Sequence, residues 1–278
     1  MRVDEHTINL DESPVFYRRA DAPGVPVLYL HGIPTSSDDW LGFLARSGGI
    51  APDLIGFGRS GKGGHLDYSV EGLTGFLERF LAELHVDAVK LVAHDWGVAI
   101  GLTLAGRHPE RIERIVLLNA PPLFDGFAWP RLVKWWRSPL IGEGLMGSFT
   151  RGMLARTLRR GCVRRDAWTD ERIATVWDQF DQGTQRAILR LVRSAGDNNF
   201  GGSGAPQGTG APDGPPGTSK PPALVVWGDR DPWYPRALAD AYAAHVPGAG
   251  IERLSDAGHW PWMDRADIVE RVATFLEE

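Results

Sequence analysis

Short apolar runs alternate with longer amphipathic segments through the first 120 residues, and this alternation restricts the fold more than any other feature of the sequence. Four β-rich runs occupy residues 25–32, 50–61, 88–94 and 112–121. Between the second and the third, residues 69–84 place apolar side chains at spacings of three and four, which predicts a helix with one buried face. Continuous apolar strands separated by helices indicate a parallel sheet that is covered on both faces.

The alternation stops beyond the fourth run and returns near the C-terminus. Residues 123–200 contain four helical patterns and no convincing strand, and two more strand patterns follow at residues 223–233 and 250–262. We therefore predict an α/β fold whose core is formed by residues 1–122 and 221–278. A helical cap, residues 123–200, is inserted after the fourth of the strands recognised here.

A segment rich in glycine, proline, serine and threonine separates the predicted cap from the returning core. It spans residues 196–222, and residues 201–220 are its most biased part. A segment of this composition has too few apolar side chains to form a core, so we expect a flexible loop. It is either a simple linker or a hinge for the cap.

The overall composition is that of an ordinary globular protein and excludes several classes of function. The net charge of −5 provides no basic surface for nucleic acid. The N-terminus lacks the pattern of a signal peptide, and no apolar run approaches the roughly 20 residues that span a bilayer. We therefore expect a cytoplasmic protein that binds neither nucleic acid nor membrane, while the sequence gives no indication of its oligomeric state.

Cysteine and histidine spacing gives no sign of a disulfide or a metal site. The single cysteine, Cys162, cannot form a disulfide within one chain. No cluster of histidine, cysteine and carboxylate residues has the spacing typical of metal ligands. We expect neither a metal nor a cofactor.

Three loops that directly follow strands carry acidic or imidazole side chains. Asp95 follows the third strand, Asp229 and Asp231 follow the fifth, and His259 follows the last. In an open parallel sheet, ligands bind at the carboxyl ends of the strands, so we expect these loops to form one site. The order Asp, Asp, His along the chain is that of a nucleophile, an acid and a base in a hydrolytic triad.

Asp95 lies at the tip of a predicted strand–turn–helix unit in the stretch "LVAHDWGVAIG". Ala93 and Gly97 stand two residues before and after it, and small flanking residues are what a strained turn of this kind requires. Neither Ser60 nor Ser203 has the same context, so the sequence contains no serine nucleophile of this type. The alternative is that Asp95 only caps the following helix, a common task for aspartate.

Five motifs, taken together and in order, resemble the haloalkane dehalogenases and epoxide hydrolases, the branch of the α/β-hydrolase superfamily that uses an aspartate nucleophile. They are "HGIPTSSDDW", "APDLIGFGRSGK", "HDWG", "WGDRDPW" and "AGHWPW". The resemblance covers nearly all of the predicted core, and it implies an α/β-hydrolase fold, with a mostly parallel sheet covered on both sides. Any one of these motifs alone would be weak support.

The resemblance implies a role for each loop. Asp95 attacks an sp³ carbon that carries a leaving group and forms a covalent alkyl ester. His259 then deprotonates the water that hydrolyses the ester, and Asp231 orients the imidazole. Asp229 and Asp256 remain alternatives for the orienting acid. The implied partners are a small apolar electrophile and water.

The resemblance also implies an oxyanion hole and a site for the leaving group. The backbone N–H groups of Ile33 and Trp96 would form the oxyanion hole, and the Trp96 indole would bind a departing halide. Many dehalogenases have an asparagine where Ile33 stands, so the second halide donor must come from elsewhere. Trp168 and Trp177 of the cap are our candidates, although most aromatic residues in such helices simply pack.

A haloalkane dehalogenase is the function that these features favour. Epoxide hydrolases of the branch use two cap tyrosines, whereas residues 123–200 contain none. An epoxide hydrolase nevertheless remains an alternative, as do another activity with an aspartate nucleophile and a binding protein with relic activity.

Overall fold

An eight-stranded sheet runs through the part of the chain that this computed structural model describes, namely residues 1–124, 126–195, 220–246 and 248–278. Its strands are β1 (Asp4–Leu10), β2 (Ser13–Ala20), β3 (Val27–Leu30), β4 (Gly49–Pro52), β5 (Val89–His94), β6 (Ile112–Leu118), β7 (Ala223–Gly228) and β8 (Gly250–Leu254).

The strand order is β1-β2-β4-β3-β5-β6-β7-β8, and neighbours from β4 to β8 are parallel. The mostly parallel sheet that the sequence predicted is therefore confirmed. The antiparallel β1 and β2 were not predicted. β1 is largely exposed and polar, which hides the apolar signal that marks the inner strands.

Eleven α-helices are described. They are α1 (Leu41–Ser47), α2 (Val70–Glu83), α3 (Trp96–Arg107), α4 (Arg131–Arg137), α5 (Ile141–Gly147), α6 (Arg151–Gly161), α7 (Asp170–Gln179), α8 (Gln182–Ser194), α9 (Ala237–His245), α10 (Pro261–Asp264) and α11 (Asp267–Glu277). The predicted helix over residues 69–84 corresponds to α2. None of the described helices is long and apolar enough to cross a membrane.

The segment between β6 and β7 contains α4 to α8, as the helical patterns predicted. The four predicted helical patterns correspond to five helices, because residues 144–161, which the second pattern covers, form parts of two helices rather than one. The helical conformation is interrupted between α5 and α6. The Thr150 hydroxyl accepts a hydrogen bond from the Met153 N–H at 3.2 Å, which caps the start of α6. The domain boundaries stay a prediction, and the predicted flexible loop, residues 201–220, lies outside the described residues apart from Lys220.

The inner strands are buried on both faces, which explains why their sequences are continuously apolar. In β5, Leu91 and Ala93 join one buried cluster, and Val92 joins the cluster on the opposite face of the sheet. Val225 and Val226 of β7 divide between the two clusters in the same way. This packing fixes the carboxyl ends of β5 and β7, from which the acidic loops emerge.

Candidate active site

Asp95 occupies a sharp turn between β5 and α3. Its φ of 51° and ψ of −125° are rare for a residue with a side chain. A Cβ at Gly97 would lie 2.4 Å from the carbonyl oxygen of Leu30, and a Cβ at Gly32 would lie 2.4 Å from the Asp95 Cβ. The turn is thus pressed against β3 and the loop that follows it, and only glycine fits at these two contacts.

The Asp95 carboxylate is buried and held by two donors. Its Oδ2 accepts the Ile33 N–H at 2.9 Å, its Oδ1 accepts the Tyr234 hydroxyl at 2.6 Å, and the backbone N–H of Trp96 is close enough to stabilise its negative charge. Its side chain makes no bond that caps α3, so helix capping does not explain it. Burial raises the pKa of Asp95, while His259 and the donors offset part of that effect.

His259 and Asp231 form a buried hydrogen-bonded pair beside Asp95. His259 Nδ1 donates to Asp231 Oδ2 at 2.7 Å, and Asn119 Nδ2 donates to the same oxygen at 2.8 Å. Asp231 Oδ1 accepts the backbone N–H groups of Trp233 and Tyr234 at 2.8 and 3.1 Å. With Nδ1 protonated, the neutral imidazole keeps the lone pair of Nε2 for a proton.

Burial disfavours the charged form of His259, but the carboxylates of Asp231, Asp95 and Asp39 together outweigh this, and the pKa of His259 is raised above its ordinary value. The alternative acids lie elsewhere. Asp229 faces Arg253 at 3.8 Å, and Asp256 bonds to Arg265 at 3.1 Å. The structure therefore brings together the three predicted triad side chains and leaves both alternatives outside.

Two further histidines, His94 and His31, hold the surrounding loops in place through hydrogen bonds. His94 Nε2 lies 2.8 Å from the carbonyl oxygen of His259, which ties the end of β5 to the loop after β8. His31 Nε2 accepts the Leu54 N–H at 3.0 Å and its Nδ1 lies 2.8 Å from the Gly32 carbonyl oxygen. This second pair of bonds orders the loop that carries the Ile33 donor.

A cavity of about 80 Å³ opens in front of Asp95, between the elbow and the helices that follow β6. Its wall is mostly apolar, and its few polar groups include the side chains of Asp95, His259 and Tyr234. α4, α6 and α8 contribute the facing side, among them Trp136, Leu158 and Ile188. The cavity has room for several water molecules or for a short aliphatic chain.

Three tryptophans with unpaired N–H groups line this cavity. The indole nitrogens of Trp96, Trp136 and Trp260 are buried and have no hydrogen-bond partner among the described residues. Trp96 stacks on Trp129 with the ring centroids 5.6 Å apart, which fixes its plane. Trp260 packs edge-on against His259 at 4.6 Å. A buried donor without an acceptor is unfavourable, so these positions suit an electron-rich ligand.

The structure does not place the predicted cap donors at this cavity. Trp168 packs edge-on against Trp260 at 5.1 Å and lines a different groove, beside Asp39. Trp177 stacks on Phe180 and is likewise not among the residues that line the cavity at Asp95. The structure therefore does not bring these two side chains to the cavity, because both pack against other aromatic rings. Trp136, on α4, stands in the position they were expected to fill.

Sequence reasoning also missed Asn119 and Tyr234. Both follow strands of the sheet, and both directly contact a residue of the predicted triad. Their positions in the sequence could have indicated them. Asn119 directly follows β6 and Tyr234 lies three residues after Asp231, so both are at the edge of the sheet where the triad lies. Over the described residues, no group of three or more histidine, cysteine or carboxylate side chains is arranged to hold a metal ion.

Comparison with known proteins agrees with this geometry. A family model for the alpha/beta hydrolase fold matches residues 25–266. A haloalkane dehalogenase of Mycobacterium marinum is 31% identical over 281 residues, which cover 96% of this chain and 87% of the relative. The chain belongs to the haloalkane dehalogenase branch of the α/β hydrolases. It is a haloalkane dehalogenase-like hydrolase.

Other relatives carry related and different names. A haloalkane dehalogenase of Mesorhizobium japonicum is 29% identical, with 96% of this chain and 89% of the relative covered. A cis-3-alkyl-4-alkyloxetan-2-one decarboxylase of Shewanella oneidensis is 27% identical, with 93% and 84% covered. The sequence relationship therefore spans more than one reaction.

Solved structures share the whole fold. The crystal structure of a putative ancestral haloalkane dehalogenase superposes with a TM-score of 0.80 at 26% identity, covering 98% of each chain. The Cif epoxide hydrolase of Acinetobacter nosocomialis superposes with a TM-score of 0.83, covering 99% of this chain and 89% of that one, and at 18% identity this likeness shows the fold alone.

Proposed function

We propose that the protein hydrolyses the carbon–halogen bond of short haloalkanes through a covalent ester on Asp95. The observation that carries this proposal is the buried Asp95 carboxylate at the wall of a small apolar cavity, with His259 and Asp231 beside it. A desolvated carboxylate is a stronger nucleophile than a hydrated one. The cavity also excludes the bulk water that would compete for the electrophile.

The first step is displacement at carbon. One oxygen of Asp95 attacks the carbon that bears the halogen, the carbon–halogen bond breaks, and the halide leaves with the electron pair. The ester that forms is neutral. It therefore removes one of the negative charges that raise the pKa of His259, and the imidazole becomes more readily available as a neutral base.

The second step is hydrolysis of that ester. His259 Nε2 takes a proton from water as the water oxygen adds to Cγ of Asp95, and Asp231 stabilises the imidazolium. The N–H groups of Ile33 and Trp96 face the carboxylate and would stabilise the oxyanion that develops. Breakdown of the adduct releases the alcohol and regenerates Asp95.

The halide is the leaving group that the cavity suits best. Trp96 and Trp136 supply two buried N–H donors without acceptors, and an anion leaving into an apolar cavity needs donors of this kind. An epoxide oxygen needs a proton donor opposite the nucleophile. Tyr234 does not provide one, because its hydroxyl lies 2.6 Å from the attacking carboxylate and displacement sends the leaving atom to the far side of the carbon.

A substrate panel tests the proposal. Bromoethane and 1-bromobutane should release bromide and alcohol in equal amounts, while styrene oxide should give no diol. Asp95→Asn should abolish both products. Diol formation without bromide release would favour the epoxide hydrolase, and turnover only of a cis-disubstituted β-lactone would favour the decarboxylase reaction of the Shewanella relative. Binding of these compounds without turnover would favour a binding protein.

A further inference from the structure

Tyr234 makes a contact with Asp95 that the two-step scheme above leaves unused. Its hydroxyl donates to Asp95 Oδ1 at 2.6 Å, and the side chain is 5% exposed and lines the cavity. The backbone of Tyr234 is anchored, since its N–H donates to Asp231 Oδ1 at 3.1 Å. The acid of the triad thus positions the phenol that touches the nucleophile.

The two oxygens of Asp95 have different surroundings, and this indicates which one attacks the substrate and which one remains the carbonyl oxygen of the ester. Oδ2 accepts the Ile33 N–H at 2.9 Å, as the oxygen that stays a carbonyl in the ester should. Oδ1 is then the oxygen that attacks and becomes the bridging oxygen of the ester. When water adds to Cγ and the adduct collapses, Oδ1 departs with the alkyl group as an alkoxide. Tyr234 contacts the atom on which that charge develops.

We propose that Tyr234 is a catalytic acid of the second half-reaction, which protonates Oδ1 as the alcohol leaves Asp95. This rests on the proposed covalent function. The halide-forming step does not use the phenol as an acid, because the leaving halide lies on the far side of the carbon.

Protons and electrons are conserved when the ester on Asp95 is hydrolysed. Water adds its oxygen to Cγ and gives a proton to His259 Nε2. The Cγ–Oδ1 bond breaks, its electron pair goes to Oδ1, and the proton of Tyr234 passes to Oδ1 to complete the alcohol. The phenolate recovers a proton from the imidazolium of His259, whose ring centroid lies 5.3 Å from that of Tyr234. The water oxygen remains in Asp95 as a carboxylic acid, whose proton passes to the now neutral His259 and from there to solvent, so that the carboxylate is restored and one proton is released per turnover.

The charge state of Asp95 makes the Tyr234 phenol a stronger acid in the second half-reaction than in the resting enzyme. Burial and then the negative charge of Asp95 raise the pKa of Tyr234 well above its ordinary value in the free enzyme. Formation of the ester removes that charge. The phenol is therefore a better acid in the ester intermediate, where a proton is needed, than in the resting enzyme, where it only orients Oδ1.

Tyr234→Phe tests the proposal, with bromoethane and 1-bromo-2-fluoroethane as probes. The variant should release a burst of about one bromide per active site at an undiminished rate, and the steady state should then fall about 10²-fold as general-acid catalysis is lost. The ester should accumulate on Asp95 and be visible by intact-protein mass spectrometry. Tyr242→Phe is the matched control, because it removes a buried phenol that donates to the Pro121 carbonyl and not to Asp95.

The two probes separate acid catalysis from a structural role. The fluoroethoxide is a better leaving group than ethoxide, so its ester should lose less in Tyr234→Phe than the ethyl ester does. The wild-type enzyme should hydrolyse the two esters at nearly equal rates, a measurement that needs no variant. Equal losses for both esters, a steep difference in the wild type, or a slowed burst without adduct would overturn the proposal.

Failure of the proposed function is distinguishable from failure of this inference. If His259→Phe traps an ester on Asp95 and Tyr234→Phe accumulates none, only the role of Tyr234 is wrong. If neither variant carries an adduct with any bromoalkane that the wild type converts, the covalent mechanism itself is wrong.

Discussion

Replacement of Asp231 by asparagine changes one atom in a buried hydrogen-bond network, and the structure predicts which bonds survive. The carboxylate accepts four bonds, two at each oxygen. An asparagine oxygen can keep the two backbone donors of residues 233 and 234. Its amide nitrogen then takes the place of the oxygen that accepts bonds from His259 Nδ1 at 2.7 Å and Asn119 Nδ2 at 2.8 Å. Because an amide nitrogen donates hydrogen bonds, it would need acceptors at both positions.

Asp231→Asn therefore forces His259 into the tautomer that is protonated at Nε2, and this nitrogen can no longer take a proton from water. Truncating one partner of a buried charge pair costs about 2–5 kcal/mol. At 1.36 kcal/mol per factor of ten, this corresponds to a loss of about 30- to 5,000-fold in the ester-hydrolysis rate. The bromide burst of the first step should remain.

Stopped-flow measurement of bromide release, with intact-protein mass spectrometry of the adduct, gives both rates. Asp229→Asn is the matched control and should change the hydrolysis rate little, because Asp229 faces Arg253 rather than His259. A loss of less than tenfold in Asp231→Asn, or an equal loss in the control, would refute the assignment of Asp231 as the orienting acid.

Three further expectations follow from the geometry. Gly97→Ala should lower the free energy of unfolding in urea by about 1–3 kcal/mol, because the new Cβ would lie 2.4 Å from a backbone oxygen. Gly144→Ala is the control and should not lower it, because no atom lies within 4 Å of the Cβ at that position. The ester-hydrolysis rate should rise with pH through the pKa of His259, since the base acts when neutral. The midpoint should lie below the pKa of His259 in the free enzyme, because the ester no longer carries the Asp95 charge that helps to raise it; a rate that falls as the pH rises, or a midpoint above that of the free enzyme, would contradict this. Trp136→Phe should lower kcat/KM for bromoalkanes about 10–100-fold through loss of one charge-assisted donor, while Trp168→Phe should leave it within twofold; equal effects of the two would remove Trp136 from the halide site.

The local features of the site were predictable because a short stretch of chain determines them. The turn at Asp95 needs small neighbours, and Gly97 supplied the signal within two residues. The loop that carries Asp231 follows β7, which is apolar and buried on both faces and is therefore easy to recognise. The loop that carries His259 follows β8, a mostly exposed strand at the edge of the sheet with a weaker signal. The order of strands in a parallel sheet then brings these loops to one edge.

The features that were missed depend on packing between distant segments. Periodicity does not tell which face of a short helix points inward, so Trp168 was chosen where Trp136 lies at the cavity. The direction of the Tyr234 side chain depends on two backbone bonds to Asp231 that only the folded loop makes. The polar β1 gave too weak an alternation to be recognised, although it pairs along its full length with β2.

The covalent ester on Asp95 is the central claim, and His259→Phe tests it most directly. After incubation with bromoethane, intact-protein mass spectrometry should show one ethyl group per chain, and peptide mapping should place it on Asp95. Bromide release should stop after about one equivalent. Wild-type turnover together with an unmodified His259→Phe protein, or an ethyl group on any other residue, would contradict the account.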